Sequence, residues 1–121
     1  MSVLEDNIAK LDNHLMRFRE TGILNCIAGK DVAGSEGTFQ THSPVDKSVI
    51  CNVAQGSTVD INCAADAAHE AFYAWRAMPA LERKKILIRI ADGIEERAEE
   101  IALCECWDTG QAYKFLSLIH I

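Results

Sequence analysis

The stretch from Ser57 to Gly110 leaves almost no room for anything but consecutive amphipathic helices. Ser57-Thr58-Val59-Asp60 opens it with a hydroxyl that can cap a helix and an acid three residues on. Apolar residues then recur at Ile61, Ala64, Ala65, Ala68, Phe72 and Trp75, the three-and-four spacing of one helical face. Met78-Pro79 ends that helix or starts the next, because proline lacks an N–H and biases its predecessor away from helix. A second face follows at Leu81, Leu87, Ile90, Ala91, Ile94, Ala98, Ile101 and Ala102, and closes on Asp108-Thr109-Gly110 with a glycine where a C-cap wants one. Gly93 inside that face costs roughly 1 kcal/mol relative to alanine. A break is therefore expected between Gly93 and Arg97, with the last helix running from about Arg97 to Thr109.

What precedes these helices is mostly short. Leu4, Ile8, Leu11, Leu15 and Phe18 form one stripe, so Val3 to Phe18 reads as a leading helix that Thr21-Gly22 breaks. Ile23 to Ala28 is a short apolar run bounded by glycines, and Asp31 to Gly34 continues it after a turn. Thr38 to Ser43 suits a strand, Pro44 to Ser48 has turn chemistry, and Val49 to Ala54 is the clearest strand of the chain. The pattern predicts an α+β arrangement, strands first and a helical layer after.

At 121 residues the chain is one domain at most, and 49% hydrophobic against 25% charged is a globular balance. The net charge of −6 argues against nucleic acid, whose phosphates need a basic face. No run is long and apolar enough to span a bilayer. Glu5, Asp6 and Asp12 make the N-terminus unlike a signal peptide or an organelle presequence, which leaves the cytoplasm as the default. Five cysteines form no C-x-x-C pair and read as reduced thiols.

No catalytic constellation stands out. Gly29, Gly34, Gly37 and Gly56 match neither dinucleotide-loop nor P-loop spacing. Cys104 and Cys106, two apart on a helix, point to different faces and read as small buried hydrophobes. Glu95, Glu96, Glu99 and Glu100 read as a solvated helix face, Phe72 and Trp75 as core, and His14 as a surface or half-buried residue.

The motifs in order nevertheless resemble a known family. Ile27-Ala28-Gly29-Lys30, Thr41-His42-Ser43-Pro44-Val45-Asp46, Val49-Ile50, Asp60-Ile61 with Ala64, Ala65 and Ala68, Phe72, Trp75, Glu82-Arg83, Ile86-Leu87, Ala91-Asp92, Glu105 and Asp108-Thr109-Gly110-Gln111 are similar to the N-terminal region of the NAD-dependent aldehyde dehydrogenases. The likeness covers about Ile23 to Phe115. Ser43 to Ser48 and Asp108 to Gln111 most resemble the branch that oxidises hydroxymuconic-type semialdehydes of aromatic catabolism. Ala28 departs from the family, which usually has asparagine there, and Pro79 stands where many members have a capping serine.

The resemblance implies an α/β enzyme of which this chain is an N-terminal fragment, itself α+β. It implies a helical extension at 1–20, an incomplete cofactor-binding domain at 21–115 with two small hairpins and two to three helices, and a non-native tail at 116–121. The tail's Leu116 to Ile121 resembles the translation of a transposase end sequence used in sequencing-library preparation. The family's catalytic cysteine, general-base glutamate, oxyanion-hole asparagine and glycine-rich cofactor turn all lie downstream, so no catalytic or NAD-binding residue is expected here. In the whole enzyme a cysteine thiolate attacks the aldehyde, hydride passes to NAD, and water releases the acid. The resemblance implies a small aldehyde as substrate partner and a homo-oligomer at full length. Some members hold a structural monovalent cation on backbone carbonyls before the proline turn and on the aspartate of the Asp-Thr-Gly motif. The matching residues are Thr41, His42 and Asp108, whose oxygens suit a hard ion.

Two other readings compete. One is a small partner-binding protein without enzymatic activity, using Ile90, Ile94 and Ile101 as an interface. The other is a thiol or metal module of Cys104, Cys106 and His69.

Overall fold

The computed structural model describes residues 2–114, and the expected tail at 116–121 lies outside them. Helix α1 is Val3–Thr21, and the strands are β1 (Asn25–Ile27), β2 (Lys30–Val32), β3 (Thr38–His42) and β4 (Val49–Ala54). Helices α2 (Thr58–Ala77), α3 (Ala80–Glu96) and α4 (Ala98–Thr109) follow. β1 pairs with β2 and β3 with β4, giving two two-stranded sheets. The contacts divide the chain into two units, one holding residues 2–23, 40–53 and 95–114 of the described chain, the other residues 24–39 and 54–94.

The first unit contains the core. Leu11 and Leu15 of α1, Ile50 and Cys51 of β4, and Leu103 of α4 bury against one another, with Phe18, Val53, Cys104, Trp107 and Tyr113 packed around them. α1 begins with a reciprocal cap: the Glu5 N–H donates to Ser2 Oγ at 3.3 Å, and the Ser2 N–H donates to Glu5 Oε2 at 2.7 Å. Charge pairs join α1 to α4. Lys10 Nζ lies 2.6 Å from Glu99 Oε1, and Arg17 donates to Glu100. Arg97 also donates to Glu100, through Nε and Nη2 at 2.8 Å each.

Glu100 is thus not part of a solvated face: its side chain is 15% exposed. The Arg97 hydrogen bonds hold its carboxyl below the usual value, and the Arg17, Arg97 and His14 charges add to this against the opposing effect of burial.

The second unit is built on two turns and two helices. Strands β1 and β2 pair with Ile27 opposite Lys30, leaving Ala28-Gly29 as a two-residue hairpin turn. Both turn residues have positive φ, 53° and 74°, the conformation of a type I′ turn. The second turn leads into α2. Val59 N–H donates to Ser57 Oγ at 3.1 Å, and Ser57 N–H donates to Asp60 Oδ2 at 2.8 Å. Ser35 reinforces that start by donating its hydroxyl to Asp60 Oδ2 at 2.6 Å and its N–H at 3.1 Å. These bonds, the Ser35 hydroxyl first, lower the pKa of the Asp60 carboxyl from its ordinary value.

At the far end of α2, Met78 is extended and Pro79 leads into α3. Arg83 folds back there, donating to the carbonyl of Met78 at 2.5 Å and at longer range to those of Arg76 and Trp75. Cations placed on the last carbonyls of a helix stabilise its C-terminus. The break expected between Gly93 and Arg97 falls at Arg97, the N-cap of α4, whose side chain makes no capping hydrogen bond to the helix backbone.

Neither α2 nor α3 buries a residue. Their apolar stripes are present as spacing predicts, but Ile61, Phe72, Leu81, Leu87, Ile90 and Ile94 are exposed.

Candidate functional site

The residues singled out as cation ligands lie in the first unit, where β3 ends and α4 stops. Ser43 makes that corner. It follows β3 directly and is fully buried at 0% exposure. Its hydroxyl donates to the carbonyl of Trp107 in the last turn of α4 at 2.7 Å and accepts from the Val45 N–H at 3.2 Å. Its backbone closes the turn, the N–H donating to Ser48 O and the carbonyl accepting from Lys47 N–H, both at 2.9 Å. Asp46 Oδ1 accepts from the Ser48 N–H at 2.9 Å, which lowers the pKa of its carboxyl. A short hydroxyl side chain before proline can bond both its own turn and a neighbouring helix end, which is why this one residue joins the two.

Gly110 lets the other side approach. It ends α4 with φ 74°, its N–H donating to Cys106 O at 2.9 Å. A Cβ there would stand 3.1 Å from Pro44 Cγ, tighter than ordinary contact. Left-handed backbone and close approach together call for glycine. Thr109 Oγ1 donates back to Glu105 O at 2.7 Å, and the Gln111 N–H donates to Thr109 Oγ1 at 3.3 Å.

On this frame Thr41 Oγ1 donates to Asp108 Oδ1 at 3.4 Å. His42, the last residue of β3, is exposed, as is Asp108, while Thr41 is half-buried. The structure thus brings Thr41 and Asp108 together and sets His42 next to Thr41 in the chain. A carboxylate in the last turn of a helix faces the partial negative charge of its carbonyls, an arrangement that favours a nearby cation. Asp108 also acts on Cys51: burial raises the thiol's pKa, and the Asp108 charge adds to that. Hydroxyl, carbonyl and carboxylate oxygens are the donor types a hard ion takes, so the set fits such an ion in kind.

The other candidates are not assembled. Among the described residues no group of three or more His, Cys, Asp and Glu side chains could hold a metal, so no metal module forms at Cys104, Cys106 and His69 among them. His69 Nε2 instead lies 3.2 Å from the Tyr73 hydroxyl. Cys104 and Cys106 are half-buried, and burial raises the pKa of the Cys104 thiol, as befits an inert core cysteine. Among the described residues no helix is long and apolar enough to cross a membrane.

A short β1–β2 hairpin, a tight serine-proline turn and an Asp-Thr-Gly helix end follow one another along the chain. The family model described as "Aldehyde dehydrogenase family" matches residues 32–118. The chain belongs to the aldehyde dehydrogenase family. It is 43% identical over 91 residues to the mitochondrial benzaldehyde dehydrogenase of Antirrhinum majus, covering 74% of this chain and 17% of that protein. Among solved structures, HpcC from Thermus thermophilus superposes with a TM-score of 0.87 at 36% identity, covering 93% of this chain and 22% of that one. Betaine aldehyde dehydrogenase from Staphylococcus aureus, in complex with NAD+, superposes with a TM-score of 0.82 at 27% identity, covering 91% and 22%. The chain spans about a sixth of the length of the curated relatives it matches, 17% in each case.

Proposed function

We propose that this chain is the N-terminal part of the cofactor-binding domain of an NAD-dependent aldehyde dehydrogenase, with the enzyme's chemistry carried by residues outside it. The observation that carries this reading is the family match over residues 32–118, joined to likeness with a structure holding NAD+. Within the chain the residues work as scaffold. Ser43 and Gly110 fix the corner between hairpin and helix, and the exposed faces of α2 and α3 supply apolar surface for the sheet of the whole domain. No glycine-rich turn occurs here to receive the dinucleotide phosphates, so none of these residues is assigned to NAD. The substrate we infer is a hydroxymuconic-type semialdehyde of aromatic catabolism. Ser43 to Ser48 and Asp108 to Gln111 support that choice, as does likeness to an enzyme named for an aromatic aldehyde. The full-length protein is proposed to be a cytoplasmic homo-oligomer.

The test is to purify the product of the complete reading frame and follow NADH formation with 2-hydroxymuconic semialdehyde and with acetaldehyde, beside this chain alone. The expected result is NADH formation by the complete product, a higher kcat/KM for the semialdehyde, and no activity from the chain alone. A preference for acetaldehyde overturns the substrate. No NADH with either aldehyde, or turnover by the chain alone, overturns the whole reading.

Thr41, His42 and Asp108 are proposed in addition to hold a structural monovalent cation, on the strength of the Thr41–Asp108 contact at the carbonyl end of α4. Melting the protein in potassium or sodium chloride against tetramethylammonium chloride at equal ionic strength tests this. A higher Tm with the small cations, lost in Asp108→Asn, is expected. Equal melting in all three salts removes the site.

A further inference from the structure

We draw no further inference here: the strongest candidate, the apolar groove of about 210 Å³ lined by Leu4, Ile8 and Leu11 of α1 and by Leu103 and Trp107 of α4, where the buried Trp107 indole N–H has no partner among the described residues, carries nothing because nothing in the structure shows what covers it.

Discussion

Ala28 shows a local rule and a family pattern meeting at one side chain. The first residue of a type I′ turn must take positive φ, which costs an L-residue with a Cβ roughly 1–2 kcal/mol, and asparagine is among the few side chains that tolerate it. Ala28 sits there at φ 53°, and the family resemblance implies asparagine at that position. Ala28→Asn should therefore raise stability by about 0.5–1 kcal/mol, read as a higher urea midpoint with unchanged slope. An unchanged or lower midpoint would mean the turn takes another conformation. Gly110 works in the opposite direction. Its φ of 74° and the 3.1 Å approach of Pro44 Cγ predict that Gly110→Ala lowers stability by about 1–2 kcal/mol. Loss of no more than a few tenths in the same melt would show that the corner yields easily. The departure at Ala28 and the C-cap at Gly110 were both legible in the sequence. The role of Ser43 was not. Its place before a proline marks a turn, but the Trp107 carbonyl it bonds is 64 positions away, and one sequence carries no trace of such a pairing.

The elements themselves were largely readable, because the signals that set them are local. Val49–Ala54 is the strand expected, α2 starts behind Ser57 and stops at Met78, and the helix break falls within the expected window. What spacing could not settle is which face finds a partner. Ile101 and Ala102 were expected on the buried stripe of the last helix, yet Ala102 and Leu103 are the residues buried there. The cause is α1, which lies along α4 and brings Leu11 and Leu15 to it. The same contact turns Glu100 from an apparent solvent-facing acid into the hub of an ion-pair cluster with Arg17 and Arg97. A carboxyl whose folded pKa lies below its unfolded value stabilises the fold above the unfolded pKa, and that contribution is lost as pH falls through the folded one. Glu100→Gln should thus cost about 1 kcal/mol at neutral pH, and the gap from the parent chain should close on acidification below the ordinary glutamate range. Urea melts of both chains at neutral and acidic pH check it. A gap that stays constant across that range would show that Glu100 acts by packing and not by charge.

For the chain taken whole, the decisive feature is that α2 and α3, both with clear apolar periodicity, bury none of their residues. Leu81 is 63% exposed and Ile61 67%. Scattered apolar residues on a surface mean little, but contiguous ones mark surface meant for contact. The stripes were legible in the sequence as amphipathic faces. Their lack of cover was legible only through the family resemblance, since periodicity says which side is apolar and nothing about what meets it. The chain by itself should therefore associate. Sedimentation velocity at rising concentration should show species beyond the monomer, and a dye that reports apolar surface should brighten on binding. Charging the exposed α3 face with Leu87→Glu and Ile90→Glu should shift the distribution toward monomer, while far-ultraviolet circular dichroism stays that of the parent because both positions are exposed. A loss of helical signal in that double variant would show instead that these side chains hold α3 in place. A strictly monomeric parent chain with no dye response would mean the stripes are already covered, and the scaffold role proposed for α2 and α3 would fall with that result.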